Sequence, residues 1–600
     1  MDFYGFYTGR VFDAYQFLGA HPAGEGVVFR TFAPGARAVA LIADCTGWQP
    51  LPMHKVYDGN FWEVCAAGAA PGTLYKYRIQ GQDGRTVDHC DPYGFSMELR
   101  PQSASIVRDL TAYRFGDGAW MKSRTDCKGG PLNIYELHAG SWRRPSDEPG
   151  DWYDYERLAA LLIPYVQRQG YNYIELLPLS EHPSDESWGY QNTGFFAPTS
   201  RYGGPEQLMA FVDACHRAGI GVLMDFVPVH FAVDDYGLAR YDGTALYEYP
   251  HDAVGRSEWG SCNFMHSRGE VRSFLQSAAN YWLTEYHFDG LRVDAVSNLL
   301  YWQGDPNRGE NRAAVQFLQE LNRGLKERHP TAILAAEDSS ARPGVTKPLA
   351  EGGLGFDYKW DMGWMHDTLE YFQTGPEYRP RDYHKLTFSM QYFYNERYLL
   401  PLSHDEVVHG KAAVAQKMHG GYEEKFPQAR ALYLYMYAHP GKKLNFMGAE
   451  FAQLREWDEA RQQDWLLLEY PVHDAFRQFM ADLGQLYLKT AALWRWDDDP
   501  AGFCWRECQA PESCVYAFER RNETERVLAV FNFSDAPQTA ALALPGAAGL
   551  RLLLAADDER YGGPQRYEGG ALALTEEAVE LPLGPYAARL YEIVEDTAEE

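Results

Sequence analysis

Short apolar runs separated by turn residues fill the first 110 positions of the chain. Residues 27–32, 38–42 and 74–79 are rich in apolar and β-branched side chains that alternate with polar ones, and Gly, Pro and Asp lie between the runs. Such alternation is typical of strands that bury one face. We therefore expect a β-sandwich domain over residues 1–110.

The pattern changes between residues 111 and 496, where short apolar runs alternate with longer amphipathic stretches. This order predicts an α/β domain in which eight parallel strands and their crossover helices close into a (β/α)8 barrel. The segment at about 230–266 has little periodicity, which predicts an insertion after the third strand. The predicted barrel strands are 133–137, 173–177, 222–226, 290–293, 333–336, 356–359, 398–402 and 443–446.

The last part of the chain, residues 497–600, returns to strand-like runs. The stretches 515–518 and 527–531 are the clearest of them. They predict a second, C-terminal β-sandwich, so the expected fold is a barrel domain flanked by two all-β domains.

Composition and charge limit the partners that the chain is expected to bind. The formal net charge of −28 repels nucleic acids and anionic membranes, whereas a neutral polymer is not repelled. The aromatic content of 15% suits flat ligands such as sugar rings, although most aromatic side chains will fill the core. Nine cysteines, an acidic N-terminus at Asp2 and the lack of a long apolar run favour a reduced, cytoplasmic protein.

Carboxylates lie near or just after the carboxyl ends of four of the predicted barrel strands. These residues are Asp225, Asp294, Glu337 and Asp405. Each one alone could simply cap the next helix. Four at the carboxyl ends of barrel strands, where the active sites of such barrels lie, favour a catalytic interpretation.

The sequence of the fourth strand predicts the ionisation states of Asp294 and Glu337. Arg292 and Asp294 are two residues apart, so their side chains share one face of the strand. A guanidinium beside Asp294 would keep that carboxylate ionised, as a nucleophile requires, although a structural ion pair is the alternative. Glu337, close to ionised aspartates, would hold its proton more tightly and could act as a general acid.

A nucleophile paired with a general acid is the arrangement of retaining glycosidases, whose two carboxyl groups lie about 5–5.5 Å apart. Asp405 would then stabilise the positive charge of the transition state. Tyr190, His230 and His404 could hydrogen-bond a bound glucose, although single residues of these types more often belong to the core. The chain has no phosphate-binding loop or serine nucleophile motif at a strand end, and no metal ligand set is expected.

Four segments resemble the conserved regions of the α-amylase superfamily. They are DFVPVHF at 225–231, FDGLRVDAV at 288–296, AAEDSS at 335–340 and LPLSHDEVVHGK at 400–411. The last of them, together with ESWGYQNTGFFAPTSRYG at 186–203, closely resembles the glycogen branching enzymes. The N-terminal zone, with FLGAH at 17–21, resembles the carbohydrate-binding module that precedes the barrel in that family.

This resemblance implies a retaining transferase that cuts α-1,4-glucan chains and rejoins them through α-1,6 links. It implies Asp294 as nucleophile, Glu337 as acid/base and Asp405 as stabiliser of the transition state. The expected partner is an α-glucan such as amylose or glycogen, without cofactor or metal, and the expected state is a monomer. The implied substrate-binding residues are Tyr190, Asp225, His230, Arg292 and His404.

Two alternatives stay open at the level of sequence. A hydrolase of the same fold, either debranching or trehalose-releasing, shares the first half of the reaction, and the run Ala335–Asp338 gives it some support. A glycogen-binding scaffold without activity is the other alternative. The intact Asp294, Glu337 and Asp405 argue against the scaffold.

Overall fold

A computed structural model describes residues 1–124, 128–567, 570–574 and 577–595. The chain divides into two compact units. The first consists of Met1–Thr125, His138–Leu161 and Glu175–Phe356, and the second consists of Asp126–Leu137, Leu162–Ile174 and Asp357–Glu600. Within the described ranges, no helix is both long and apolar enough to cross a membrane.

Two antiparallel sheets form the N-terminal sandwich that the sequence predicts. Burial alternates strictly along Leu74–Gln80, where Tyr75, Tyr77 and Ile79 point into the core. One sheet contains Gly19–Ala23, Gly26–Phe32, Phe61–Ala67 and His54–Val56, in that order. The other contains Leu51–Pro52, Ala38–Ala43, Leu74–Gln80 and Thr86–His89, with Ser105–Ile106 on the edge of Leu74–Gln80.

Eight parallel strands close into the predicted barrel. Nearly every residue of these strands is buried, as expected where helices cover the outer face of a parallel sheet. The strands, numbered here first to eighth, are Asn133–Leu137, Tyr173–Leu176, Gly221–Phe226, Gly290–Val293, Ile333–Ala336, Tyr358–Trp360, Tyr398–Leu402 and Lys442–Phe446.

Amphipathic helices connect these strands. Arg312–Arg328 shows the pattern clearly, because Leu318, Leu321 and Leu325 are buried at helical spacing and Asn311 caps its first turn. The longer helices are Tyr155–Arg168, Pro205–Arg217, Gly269–Glu285, Arg312–Arg328, Met362–Gln373, Tyr422–Ala438 and Pro471–Lys489. The shorter ones are Phe3–Thr8, Gly118–Ser123, Ala139–Trp142, Asp252–Gly255, Val296–Leu300, Arg379–Asp382, Lys385–Phe388 and Val414–Lys417.

The predicted bounds of the sixth strand are wrong by two residues at its start. Phe356 lies before the strand, and its backbone N–H donates to the carbonyl oxygen of Val345 at 3.2 Å. Asp357 turns its carboxylate to Lys128 Nζ at 2.9 Å. Local bonds of this kind compete with the strand ladder, so the strand begins only at Tyr358.

The segment after the third strand has little regular structure, as predicted. Its two ends pair as the short antiparallel strands His230–Phe231 and Cys262–Asn263. The helix Asp252–Gly255 is the one α-helix described between them.

The C-terminal part contains a six-stranded and a two-stranded antiparallel sheet that share one core. Val515 and Leu528 of the larger sheet belong to the same buried apolar cluster as Leu542 and Leu581 of the smaller one. The larger sheet has the order Phe503–Ala510, Val515–Arg521, Arg526–Asn532, Ala588–Glu595, Ala547–Ala555 and Ala571–Ala573, and the smaller one pairs Gln538–Ala543 with Ala578–Leu583.

Within the first unit, the buried His216 connects Asp117, which precedes the barrel, with Asp289, which precedes the fourth barrel strand. His216 Nδ1 lies 2.8 Å from Asp117 Oδ2, and its Nε2 lies 2.9 Å from Asp289 Oδ2. Carboxylates accept hydrogen bonds, so both ring nitrogens carry hydrogen and His216 is an imidazolium. Burial alone would lower the pKa of His216, but the bonds and charges of Asp289 and Asp117 outweigh it and raise the pKa. His287 and Arg124 also contact these two aspartates.

This cluster predicts a loss of stability in mild alkali. A histidine whose pKa is raised by folding contributes stability that is complete below its unfolded pKa of about 6.5 and is lost as pH rises through the folded pKa. We expect the melting temperature to fall as pH rises above about 6.5, and His216→Gln to flatten this slope and lower stability at pH 6 by roughly 3–5 kcal/mol. The exposed His54→Gln is the control, and equal slopes in all three proteins would contradict the assignment.

Candidate active site

The third, fourth and fifth barrel strands, which lie in the first unit, carry Asp225, Asp294 and Glu337 at their carboxyl ends. In the parallel register, Phe226 pairs with Val293 and Val293 pairs with Ala336. Asp294 and Glu337 follow these paired residues directly, and their backbone N–H groups extend the ladder by donating to Phe226 and Val293 at 3.0 Å each. Both side chains therefore leave the barrel at the same height.

Arg292 connects this cluster. Its Nη1 donates to both carboxylate oxygens of Asp225, at 2.8 and 2.9 Å, and to Asp294 Oδ1 at 2.6 Å. Its Nη2 lies 3.9 Å from Glu337 Oε2. The predicted pairing of Arg292 and Asp294 on one face of the strand is thus confirmed.

The surroundings of Arg292 stabilise its protonated, positively charged form. Burial would lower the pKa of its guanidinium, but Asp225, Tyr190, Asp294 and Glu337 together raise that pKa well above its ordinary value. A permanent cation bonded to both Asp225 and Asp294 offsets the repulsion that would otherwise push these two carboxylates apart or protonate one of them. This arrangement places a fixed positive charge against Asp294, which lies beside a second carboxyl group.

The three carboxylates around Arg292 differ in how much of each side chain is exposed. The side chain of Asp225 is 2% exposed, whereas those of Asp294 and Glu337 are 13% and 15% exposed. Glu337 Oε2 also accepts a hydrogen bond of 2.7 Å from the backbone N–H of Ala295. Ala295 has a φ of +47°, a backbone conformation that is strained for a residue with a Cβ and is found at functional sites. The carboxylates of Asp294 and Glu337 therefore reach the surface, whereas that of Asp225 is buried.

Tyr190 joins the Arg292 cluster through Asp225, and His230 has a different environment. The Tyr190 hydroxyl donates to Asp225 Oδ2 at 2.5 Å. His230 lies just after the third barrel strand, is 3% exposed, and its Nδ1 has no hydrogen-bond partner among the described residues. Burial lowers the pKa of His230 to about 4, so its ring is neutral at neutral pH. A neutral imidazole has one ring nitrogen that can donate and one that can accept a hydrogen bond.

In the second unit, the seventh strand leads into His404 and Asp405. The backbone N–H of His404 donates to Glu136 Oε2 at 2.9 Å, and its Nδ1 donates to Glu136 Oε1 at 2.5 Å. His404 Nε2 lies 3.6 Å from Asp405 Oδ2, and the Asp405 side chain is 41% exposed. The buried His404 is therefore held at one nitrogen and directs the other toward an accessible carboxylate.

The structure brings five of the predicted residues into one connected cluster and two more into a second. Sequence reasoning missed Glu136, whose only signal was an acidic side chain inside the apolar first strand. In the described ranges, no group of three or more His, Cys, Asp or Glu side chains could hold a metal ion. The first cluster contains Tyr190, Asp225, Arg292, Asp294 and Glu337, and the second contains His404 and Asp405 with Glu136.

The contact between Glu136 and His404 predicts a measurable loss. In Glu136→Gln the side-chain NH2 group would face a histidine N–H, leaving a buried donor without an acceptor at about 1–3 kcal/mol. We expect kcat/KM on the predicted α-glucan substrate to fall roughly tenfold to hundredfold. In a His404→Gln background, the same substitution should add little, because the contact is already gone. Full additivity of the two substitutions would contradict this coupling.

Comparison with protein families gives three matches along the chain. Residues 17–94 match carbohydrate-binding module 48 (isoamylase N-terminal domain), residues 159–239 match the alpha amylase catalytic domain, and residues 505–594 match the alpha amylase C-terminal all-beta domain. The three matches follow the order of the sandwich, the barrel and the C-terminal sheets.

Solved structures share this fold at low sequence identity. A putative alpha amylase from Salmonella typhimurium has a TM-score of 0.72 and 20% identity, covering 96% of this chain and 99% of that one. A pullulanase complexed with maltotetraose, from an Anoxybacillus species, has a TM-score of 0.75 and 17% identity, covering 98% of this chain and 89% of that one. These likenesses establish the fold.

Curated relatives are much more similar in sequence. The 1,4-alpha-glucan branching enzyme GlgB of Fusobacterium nucleatum is 44% identical, over 95% of this chain and 93% of the relative. The enzymes of the same name from Dechloromonas aromatica and Bacillus caldolyticus are 45% and 44% identical, over 95% of this chain and 95% and 87% of the relatives. Identity at this level over nearly the whole length of both chains is decisive: this chain belongs to the 1,4-α-glucan branching enzymes.

Proposed function

We propose that this chain cuts α-1,4-glucan chains and transfers the released segment to a 6-hydroxyl, so that an α-1,6 branch forms with retention of configuration. The observation that carries the proposal is the Arg292 cluster. One buried guanidinium holds Asp225 and Asp294, while Glu337 lies beside it on the neighbouring strand. An accessible anion next to an accessible carboxyl group is the minimal equipment of a retaining glycosidase or transglycosidase.

In the first half-reaction, Asp294 attacks the anomeric carbon of an internal glucose. Glu337 gives its proton to the departing glycosidic oxygen, and the bond between sugar and enzyme replaces the α-1,4 bond. Arg292 keeps Asp294 ionised for the attack. A Glu337 that shares its surroundings with carboxylates is suited to hold a proton at neutral pH.

Asp405 serves in this proposal to stabilise the oxocarbenium-like transition state. It follows the seventh strand of a parallel barrel, and the carboxyl ends of barrel strands are where such active sites are built. His404, fixed by Glu136, would donate or accept a hydrogen bond at a sugar hydroxyl next to Asp405. The neutral His230 and the hydroxyl of Tyr190 would bind the same donor glucose.

In the second half-reaction, Glu337 takes the proton from the 6-hydroxyl of an acceptor glucose, which attacks the anomeric carbon and releases Asp294. Water could replace the acceptor at this step. Transfer therefore depends on how well the surface beside the cluster holds a second glucan chain.

Product analysis on amylose tests the proposal. Branching removes the long linear chains that bind iodine, so the iodine colour should fall with little gain in reducing ends, and new α-1,6 signals should appear by NMR. A large rise in reducing ends would favour the hydrolase, and no change at all would favour the binding scaffold. Debranching and sizing the product would also give the transferred chain length.

The remaining expectations also belong to this proposal. We propose three domains, at 1–110, 111–496 with an insertion at about 230–266, and 497–600, with an α-glucan as the partner. We further propose a monomer that works in the cytoplasm without a cofactor. Light scattering on the purified protein would contradict the monomer if it gave a multiple of the chain mass.

A further inference from the structure

The segment between the third barrel strand and the helix Gly269–Glu285 exposes a large aromatic side chain. Trp259 is 47% exposed, although an indole usually gains from burial. It lies between the paired strands His230–Phe231 and Cys262–Asn263. Because exposing an indole is unfavourable, an exposed tryptophan indicates a surface that binds a ligand.

Hydrogen bonds fix the turn that carries Trp259. The Ser257 N–H donates to the Ser261 carbonyl at 3.0 Å, and the Ser261 N–H donates to Ser257 Oγ at 3.1 Å. The two serine hydroxyls lie 2.5 Å apart, and both serines are buried. Gly260, with a φ of +78°, permits the tight turn. The indole is thus presented on a closed, anchored loop, which reduces the entropy lost when a ligand orders it.

Trp259 also adjoins residues of the proposed site. Its ring lies 5.2 Å from that of His230, centroid to centroid, at an angle of 40°. Its carbonyl oxygen accepts a hydrogen bond of 3.2 Å from Gln191 Nε2, and Gln191 follows Tyr190 in the chain. The exposed indole therefore borders the neutral, buried histidine whose Nδ1 has no partner among the described residues.

From this juxtaposition we infer that Trp259 is a sugar-stacking residue that binds the glucan beside the glucose held by His230. The inference rests on the proposed function. A glucose ring has an apolar C–H face and a polar rim, so it can cover the indole while its hydroxyls remain hydrogen-bonded. Such a contact acts on the bound chain and not on the reacting atoms. It therefore sets the length of glucan that binds well and has little influence on the bond-breaking step.

The first experiment compares KM and kcat of Trp259→Ala, Trp259→Phe and the control Phe388→Ala with wild type on maltoheptaose and amylose. Phe388 is 56% exposed and serves as an exposed aromatic side chain that lies outside the residues matching the carbohydrate-binding module. We expect Trp259→Ala to raise KM about tenfold with kcat changed less than about threefold, Trp259→Phe to recover most of the loss, and Phe388→Ala to behave as wild type. A wild-type KM in Trp259→Ala, or equal effects at Phe388, would overturn the inference.

The second experiment measures binding without turnover. Maltoheptaose is titrated into full-length Asp294→Asn, and tryptophan fluorescence is followed with and without the additional Trp259→Phe substitution. We expect a saturable fluorescence change that is lost or strongly reduced in the double variant. An unchanged signal and affinity would overturn the inference, even if Trp259→Ala failed to fold. Because this titration needs no reaction, it gives a result even if wild type proves not to branch amylose.

Discussion

Asp294→Asn should reduce branching of amylose by about 10⁴-fold or more while the protein stays folded. Removing a nucleophile abolishes the covalent route, and only weak binding and electrostatic effects remain. The amide oxygen can still accept from Arg292, whose charge stays paired with Asp225. Replacing one of three carboxylates around a single guanidinium also removes repulsion, so the melting temperature should change little.

The matched control for this prediction is Asp252→Asn. Asp252 has a side chain that is 97% exposed and carries the same substitution away from the Arg292 cluster. It should branch amylose at the wild-type rate. If Asp294→Asn kept more than about a hundredth of the activity, the assignment of the nucleophile would be wrong.

Glu337→Gln should slow reaction with amylose by about 10²–10⁴-fold, the contribution of a general acid and base. Its effect should depend on the leaving group. An α-maltosyl fluoride releases fluoride, which needs little help from a proton donor, so the first half-reaction should remain fast. The second half-reaction still lacks its base, and the glycosyl-enzyme should accumulate as a burst of one fluoride per protein followed by slow turnover.

Comparison with Asp294→Asn makes this result specific. That variant should show no fluoride burst, because no bond to the sugar can form. Glu156→Gln, an exposed glutamate in the helix Tyr155–Arg168, should behave as wild type. If Glu337→Gln lost activity by the same factor on amylose and on α-maltosyl fluoride, the proton-transfer role of Glu337 would be contradicted.

Much of the fold could be predicted because buried parallel strands leave a local signal. The strands Asn133–Leu137, Gly290–Val293, Ile333–Ala336 and Tyr398–Leu402 were predicted with correct bounds, since each is a short apolar run next to a polar or glycine residue. The pairing of Arg292 with its second neighbour follows from the two-residue period of a strand, and the structure confirms it.

Contacts between distant parts of the chain could not be predicted. Glu136 and His404 are 268 residues apart, and nothing in either local pattern indicates that they meet. The exposure of Trp259 depends on bonds across the turn at Ser257 and Ser261, which a periodicity analysis does not register. The late start of the sixth strand, at Tyr358, likewise depends on a distant partner of Asp357.

The measurement that tests the central claim most directly is the mass of peptides from Glu337→Gln after a brief reaction with α-maltosyl fluoride. A covalent intermediate should appear as one maltosyl group on the peptide that contains Asp294, and the group should leave when an acceptor maltodextrin is added. A maltosyl group on any other carboxylate, or a steady release of fluoride without labelled peptide, would contradict double displacement through Asp294.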